Sequence, residues 1–141
     1  MKVLGLPGRN PETEAWMAAL LGMLEADTAD VARYAHWQDG TKPDMAGEAA
    51  RHPAGDADLC VAKSMGTMVL LASMAAGNAP AAAVLIGTPL GAYTDMQVEA
   101  LHALNAQIPC LFIQQTDDFT GSCAALRELL GPDAAIAEVA G

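Results

Sequence analysis

The stretch from Leu59 to Ala76 restricts the architecture of this chain more than any other. Leu59-Cys60-Val61-Ala62 is an apolar run of strand length, and from Gly66 to Ala76 the sequence is helical in length and apolar nearly all round. A helix without a polar face has to be buried, which puts it against the centre of a sheet. A strand that is apolar without alternation is covered on both faces, as in a parallel sheet with helices above and below. Only Lys63-Ser64-Met65 separates the two, so Ser64 sits on a sharp strand-to-helix turn that lifts its hydroxyl out of the sheet edge.

The rest of the chain repeats the same alternation. Lys2 to Leu6 reads as a strand, followed by the loop Pro7-Gly8-Arg9-Asn10-Pro11. Asn10 is placed to cap a helix carrying Trp16, Leu20, Met23 and Leu24 at helical spacing. Asp30 to Tyr34 reads as a second strand ending at Ala35-His36-Trp37, with a short helix from about Asp44 to Arg51. Ala82 to Ile86, Pro109 to Ile113 and Ala135 to Val139 complete six strands. Helices from Asp95 to Ala106 and from a Ser122 cap to Leu130 lie between them. The expected fold is a single α/β domain over residues 1–141, a three-layer α/β/α sandwich with a mostly parallel six-stranded sheet. Ligands of such sheets bind beyond the carboxyl ends of the strands.

Composition narrows the partners. The hydrophobic fraction is 52% and the aromatic fraction 4%, so the core is aliphatic and methionine-rich. A formal net charge of -10 argues against a nucleic-acid partner. No apolar stretch reaches the roughly 18 to 20 residues that span a bilayer, so no membrane is expected. Met1-Lys2 runs straight into Val3-Leu4 without a leader pattern, which favours a cytoplasmic protein. Cys60, Cys110 and Cys123 lack metal-ligand spacing and read as small core residues; no metal and no cofactor is expected.

Three loops then follow strand ends in a telling order: Leu6-Pro7-Gly8-Arg9-Asn10, Ala62-Lys63-Ser64-Met65-Gly66, and Gln114-Gln115-Thr116-Asp117-Asp118. This set resembles the α/β-hydrolase superfamily, in particular its small, lidless members related to dienelactone hydrolases. The segment from Ile108 to Asp118, a proline, an apolar strand and an acid-bearing turn, is especially similar. The resemblance spans the chain from Lys2 to Gly141. It implies a serine esterase or thioesterase acting on a small ester-like substrate, with Ser64 as nucleophile and Asp118 as acid, Asp117 being the neighbouring alternative. It implies an oxyanion hole from the N–H of Met65 and that of Gly8 or Arg9, since Pro7 has none. The Arg9 side chain is also a candidate for holding an anionic group. His36 and Trp37 are expected to line the substrate pocket.

The chain departs from the family pattern at Ala62 and Gln115, where glycines are usual, and in its histidines. The family's general base follows the last strand, and after Val139 only Ala140 and Gly141 remain. His36 is expected two strands from Ser64, about 10 Å away and beyond hydrogen-bond reach. His52 and His102 read as surface and structural residues. Lys63, adjacent to Ser64 on a strand, is expected to point to the opposite face. The expectation is therefore a hydrolase whose base histidine lies beyond residue 141; the alternative is a non-catalytic module of the same fold that binds a small ligand or a protein. A nucleotide-binding domain fits less well, because Gly5-Leu6-Pro7-Gly8-Arg9-Asn10 is neither Gly-x-Gly-x-x-Gly nor a P-loop. Short loops predict an open site for small or polar substrates, and an exposed edge strand would allow a homodimer.

Overall fold

The computed structural model describes residues 1–141. Strands β1 (Lys2–Leu6), β2 (Thr28–Val31), β3 (Leu59–Lys63), β4 (Ala83–Ile86), β5 (Cys110–Gln115) and β6 (Ile136–Val139) form one sheet in the order β2-β1-β3-β4-β5-β6. Every neighbouring pair is parallel. The helices are α1 (Glu12–Gly22), α2 (His36–Asp39), α3 (Met45–Arg51), α4 (Met65–Ala75), α5 (Asp95–Gln107) and α6 (Cys123–Leu130). The result is the three-layer α/β/α architecture. No helix is long and apolar enough to cross a membrane.

Topology decides which face each helix covers. Parallel neighbours need right-handed crossovers, so the direction of travel across the sheet fixes the side of the connecting helix. From β1 the chain steps outward to β2, which puts α1 on one face. It then returns past β1 to β3 and continues in one direction to β6. The later helices therefore share the other face. Their core gathers Leu6, Ala62, Leu70, Leu85, Leu104 and Phe112, all fully buried. Beneath α1 lies a smaller cluster of Val3, Met17, Leu21 and Val61. Strand alternation explains the division, since Cys60 and Ala62 face one cluster and Val61 the other. Helix α1 rests directly on β1 at Gly5, where a Cβ would stand 2.6 Å from the Met17 Cγ.

Because only α1 lies on its face, that face is bare over β4 to β6. Leu111 is 39% and Val139 43% exposed, and Val84, Ile86 and Ile113 are only half-buried.

Two sequence expectations need correction. The second strand is Thr28–Val31 rather than Asp30 to Tyr34. It is an edge strand whose Thr28, Ala29 and Asp30 are exposed, so no apolar pattern marks it. Tyr34 instead leaves the sheet, buries its ring and donates its hydroxyl to the Pro7 carbonyl at 2.7 Å. His36 and Trp37 consequently belong to α2 and not to a strand end. Asn10 does not cap α1 through its side chain; its carbonyl accepts from the Thr13 N–H and hydroxyl, at 3.0 and 2.6 Å.

Candidate functional site

Strand order reverses between β1 and β3, so the loops leaving their carboxyl ends run to opposite faces and open a crevice. Ser64 stands at that crevice. Its backbone, φ 50° and ψ -115°, is the one positive-φ conformation among the non-glycine residues. Such a conformation costs of order 1–3 kcal/mol and persists only where the surroundings impose it. Here they do. The Ser64 N–H donates to the Ile86 carbonyl at 2.9 Å, and the Ser64 carbonyl accepts from the Thr67 N–H and hydroxyl at 2.9 and 2.7 Å. The Tyr93 hydroxyl lies 2.6 Å from the Thr67 Oγ1. Thr67 has already committed its proton to Ser64, so Tyr93 is the donor, and burial raises its phenol pKa and keeps it protonated. The Ser64 side chain makes no hydrogen bond that caps α4.

The Pro7–Arg9 loop lies against the start of α4, and the carbonyls at its two ends are held from behind. Pro7 accepts from Tyr34, and Arg9 from both the His36 Nε2 (2.8 Å) and the Trp37 Nε1 (2.7 Å), while the Thr13 hydroxyl, whose proton goes to Asn10, lies 3.2 Å from the Gly8 carbonyl. The N–H groups of Gly8 and Arg9 make no hydrogen bond within the chain. Met65 opens α4, where a backbone N–H has no intrahelical acceptor. The first turn of α4 presses on the loop so closely that a Cβ on Gly66 would collide with the Leu6 carbonyl oxygen. Two elements in contact two residues past Ser64 thus carry free N–H groups, the loop at Gly8 and Arg9 and the start of α4 at Met65.

His36 and Trp37 occupy a different place from the pocket wall expected of them. Their rings cluster with Tyr34, at centroid distances of 5.8 and 5.0 Å from it, and their N–H groups meet on the Arg9 carbonyl. A carbonyl only accepts, so His36 carries its proton on Nε2 and leaves Nδ1 buried without a partner. The pair braces the loop. The Arg9 side chain itself is exposed.

On the other side of Ser64 is a hollow of about 280 Å³, lined among others by Lys63, Gly87, Asp117, Asp118 and Phe119. Asp118 is half-buried, and its Oδ1 accepts from the Thr120 N–H and hydroxyl at 3.0 and 2.7 Å. Its Oδ2 lies 3.7 Å from where a Gly87 Cβ would stand. Asp117 is exposed and accepts no hydrogen bond. The acid loop is fixed from below by Gln114, fully buried, which accepts from the Thr88 N–H and donates to the carbonyls of Thr88 and Gly121. Gln115 ends β5 without left-handed backbone.

Ser64 and Asp118 therefore share a hollow, and no histidine lines it. His52 points at the Arg33 carbonyl, 3.1 Å away, and at the buried Glu48; His102 is exposed on α5. Lys63 departs from expectation. Strand alternation ends with it, and the left-handed turn at Ser64 lets both residues line the same hollow. No group of three His, Cys, Asp or Glu side chains is placed to hold a metal ion. All three cysteines are free.

Sequence reasoning missed Thr67, Tyr93, Tyr34 and Gln114. Thr67 had left a signal, a polar residue at the head of an apolar helix, whereas Gln114 opens the polar stretch after its strand and is not distinguished from Gln115. The chain matches no protein-family model, no curated protein and no solved structure.

Proposed function

We propose that this chain is a serine hydrolase of the α/β-hydrolase type, acting on a small ester or thioester. The observation that carries the reading is Ser64, held in a costly left-handed turn between a buried strand and a buried helix. In this reading the Ser64 Oγ attacks the acyl carbonyl and its proton passes to an imidazole. The tetrahedral anion is held by the N–H of Met65 and that of Gly8 or Arg9. The anion collapses, the leaving group departs with the proton, and water releases the acyl-enzyme. Asp118, with its carboxylate anchored by Thr120, orients the imidazole; Asp117 has no such anchor. The imidazole has to come from outside these 141 residues. We further propose a cytoplasmic protein with a small-molecule substrate and no cofactor, nucleic-acid or membrane partner.

One observation favours a second reading, a binding module without catalysis: the hollow beside Ser64 has no histidine lining it. Labelling with a fluorophosphonate probe separates the two. The hydrolase reading expects an adduct on Ser64 that is lost in Ser64→Ala and sharply reduced in Asp118→Asn but not in Asp117→Asn. A folded protein that takes no adduct, with or without a longer form or a partner, is a binding module.

A further inference from the structure

The bare half of the α1 face adjoins the Ser64 hollow. Lys63, Ile86 and Ile113 are register neighbours on β3, β4 and β5, so they form one row across the sheet on that face. Two strand spacings separate its ends, about 10 Å. Trp16 on α1 walls the row on one side, and Val139 stands toward the other. Together they enclose a trough of about 310 Å³, within the size range of small-molecule sites. Lys63, Gly87, Gln115 and Asp118 line both the trough and the hollow, which are thus continuous.

The trough has two chemistries at two ends. At one is the Lys63 ammonium, 5.1 Å from the centroid of the Trp16 ring and without a carboxylate partner. Asp118, the one acid of the lining, forms no ion pair with Lys63; its Oδ1 is held by the Thr120 N–H and hydroxyl, and its charge confines an anionic head to the Lys63 side of the trough. At the other end are aliphatic side chains over strands that no helix covers. An ammonium without a carboxylate partner beside an apolar floor suits an anion with a hydrocarbon tail, and it does so locally, against the overall repulsion of a chain of net charge -10.

We propose that this trough binds a short aliphatic carboxylate, with its head on Lys63 and its chain along Ile86 and Ile113. This rests on the hydrolase reading only for the naming of the substrate: the bound acid is then the product, and the substrates are short aliphatic acyl esters or thioesters.

The experiment is a titration of the ¹⁵N-labelled chain with hexanoate, and with hexanamide as the neutral counterpart, followed by NMR. Hexanoate is expected to shift the amides around Lys63, Ile86 and Ile113 and to bind about tenfold more tightly than hexanamide, the size of one charge-assisted hydrogen bond. Lys63→Met should erase that preference, Lys63→Arg should keep it, and Ile113→Ser should weaken both ligands. Equal affinities, shifts elsewhere, or a preference that survives Lys63→Met would overturn the proposal. So would a dimer in sedimentation whose interface covers Ile86 and Ile113. Ser64 labelling without hexanoate binding would sink the trough and keep the hydrolase. Hexanoate binding without labelling would do the reverse.

Discussion

A methyl group placed on Gly66 would fall on the carbonyl oxygen of Leu6. Two residues past the strained serine, the helix and the neighbouring strand are therefore in backbone contact, and only glycine permits it. Gly66→Ala is expected to cost at least about 1–3 kcal/mol, because the obstruction is backbone rather than a flexible side chain. It should also move the loop away from Ser64 and reduce probe labelling. Urea denaturation gives the first quantity; an unchanged midpoint would refute the close approach.

Ser64 is strained, so relieving it should stabilise the fold. Glycine accepts positive φ at no steric cost, whereas alanine does not. Ser64→Gly is expected to be more stable than Ser64→Ala by about 1 kcal/mol, with neither variant labelled by the probe. Equal stabilities would mean that the turn relaxes when its hydroxyl is removed.

Gln114→Leu keeps the volume and removes three hydrogen bonds. The Thr88 N–H and the carbonyls of Thr88 and Gly121 lose their partner in the interior. At about 1–3 kcal/mol for a buried group left unpaired, a loss of at least about 2 kcal/mol is expected. Amide exchange should quicken at Thr88 above all. Unchanged protection there would remove Gln114 as the anchor of the acid loop.

The legible parts of this fold were the buried ones. β3 and α4 announced themselves because both are apolar on every side, and the turn between them is too short to hide Ser64. β2 was misplaced because an exposed edge strand carries no apolar pattern, while the buried Tyr34 beyond it does. The bracing role of His36 and Trp37 was invisible for another reason. Their partner is the carbonyl of Arg9, and any residue in that position would offer the same oxygen. Lys63 was misjudged because the alternation of faces holds along a strand and not around the left-handed turn that ends it.

Burial pushes the Cys60 thiol up to about 12. The unfolded chain would ionise it near its ordinary value of about 8.5, so above that pH the unfolded state binds fewer protons than the native one. Stability should therefore be fully retained below about pH 8.5 and fall as pH rises toward 12. Cys60 alone accounts for a slope of about 1.4 kcal/mol per pH unit. Denaturation curves between pH 8 and 11 should show a shallower fall in Cys60→Ala than in the parent. Parallel curves would place the alkaline sensitivity elsewhere.

Strand β1 precedes both of its neighbours in the chain yet ends up inside the sheet, between β2 and β3. It can pair with β2 as soon as α1 has formed, but its other flank waits for β3, which follows α2 and α3 in the chain. Until then β1 presents an open row of backbone donors and acceptors, the kind of edge that recruits strands from other molecules. The crevice beside Ser64 exists only after this long-range pairing closes. Nascent or truncated chains that stop short of Leu59 should thus be aggregation-prone rather than merely inactive, and release from that hazard coincides with the birth of the site.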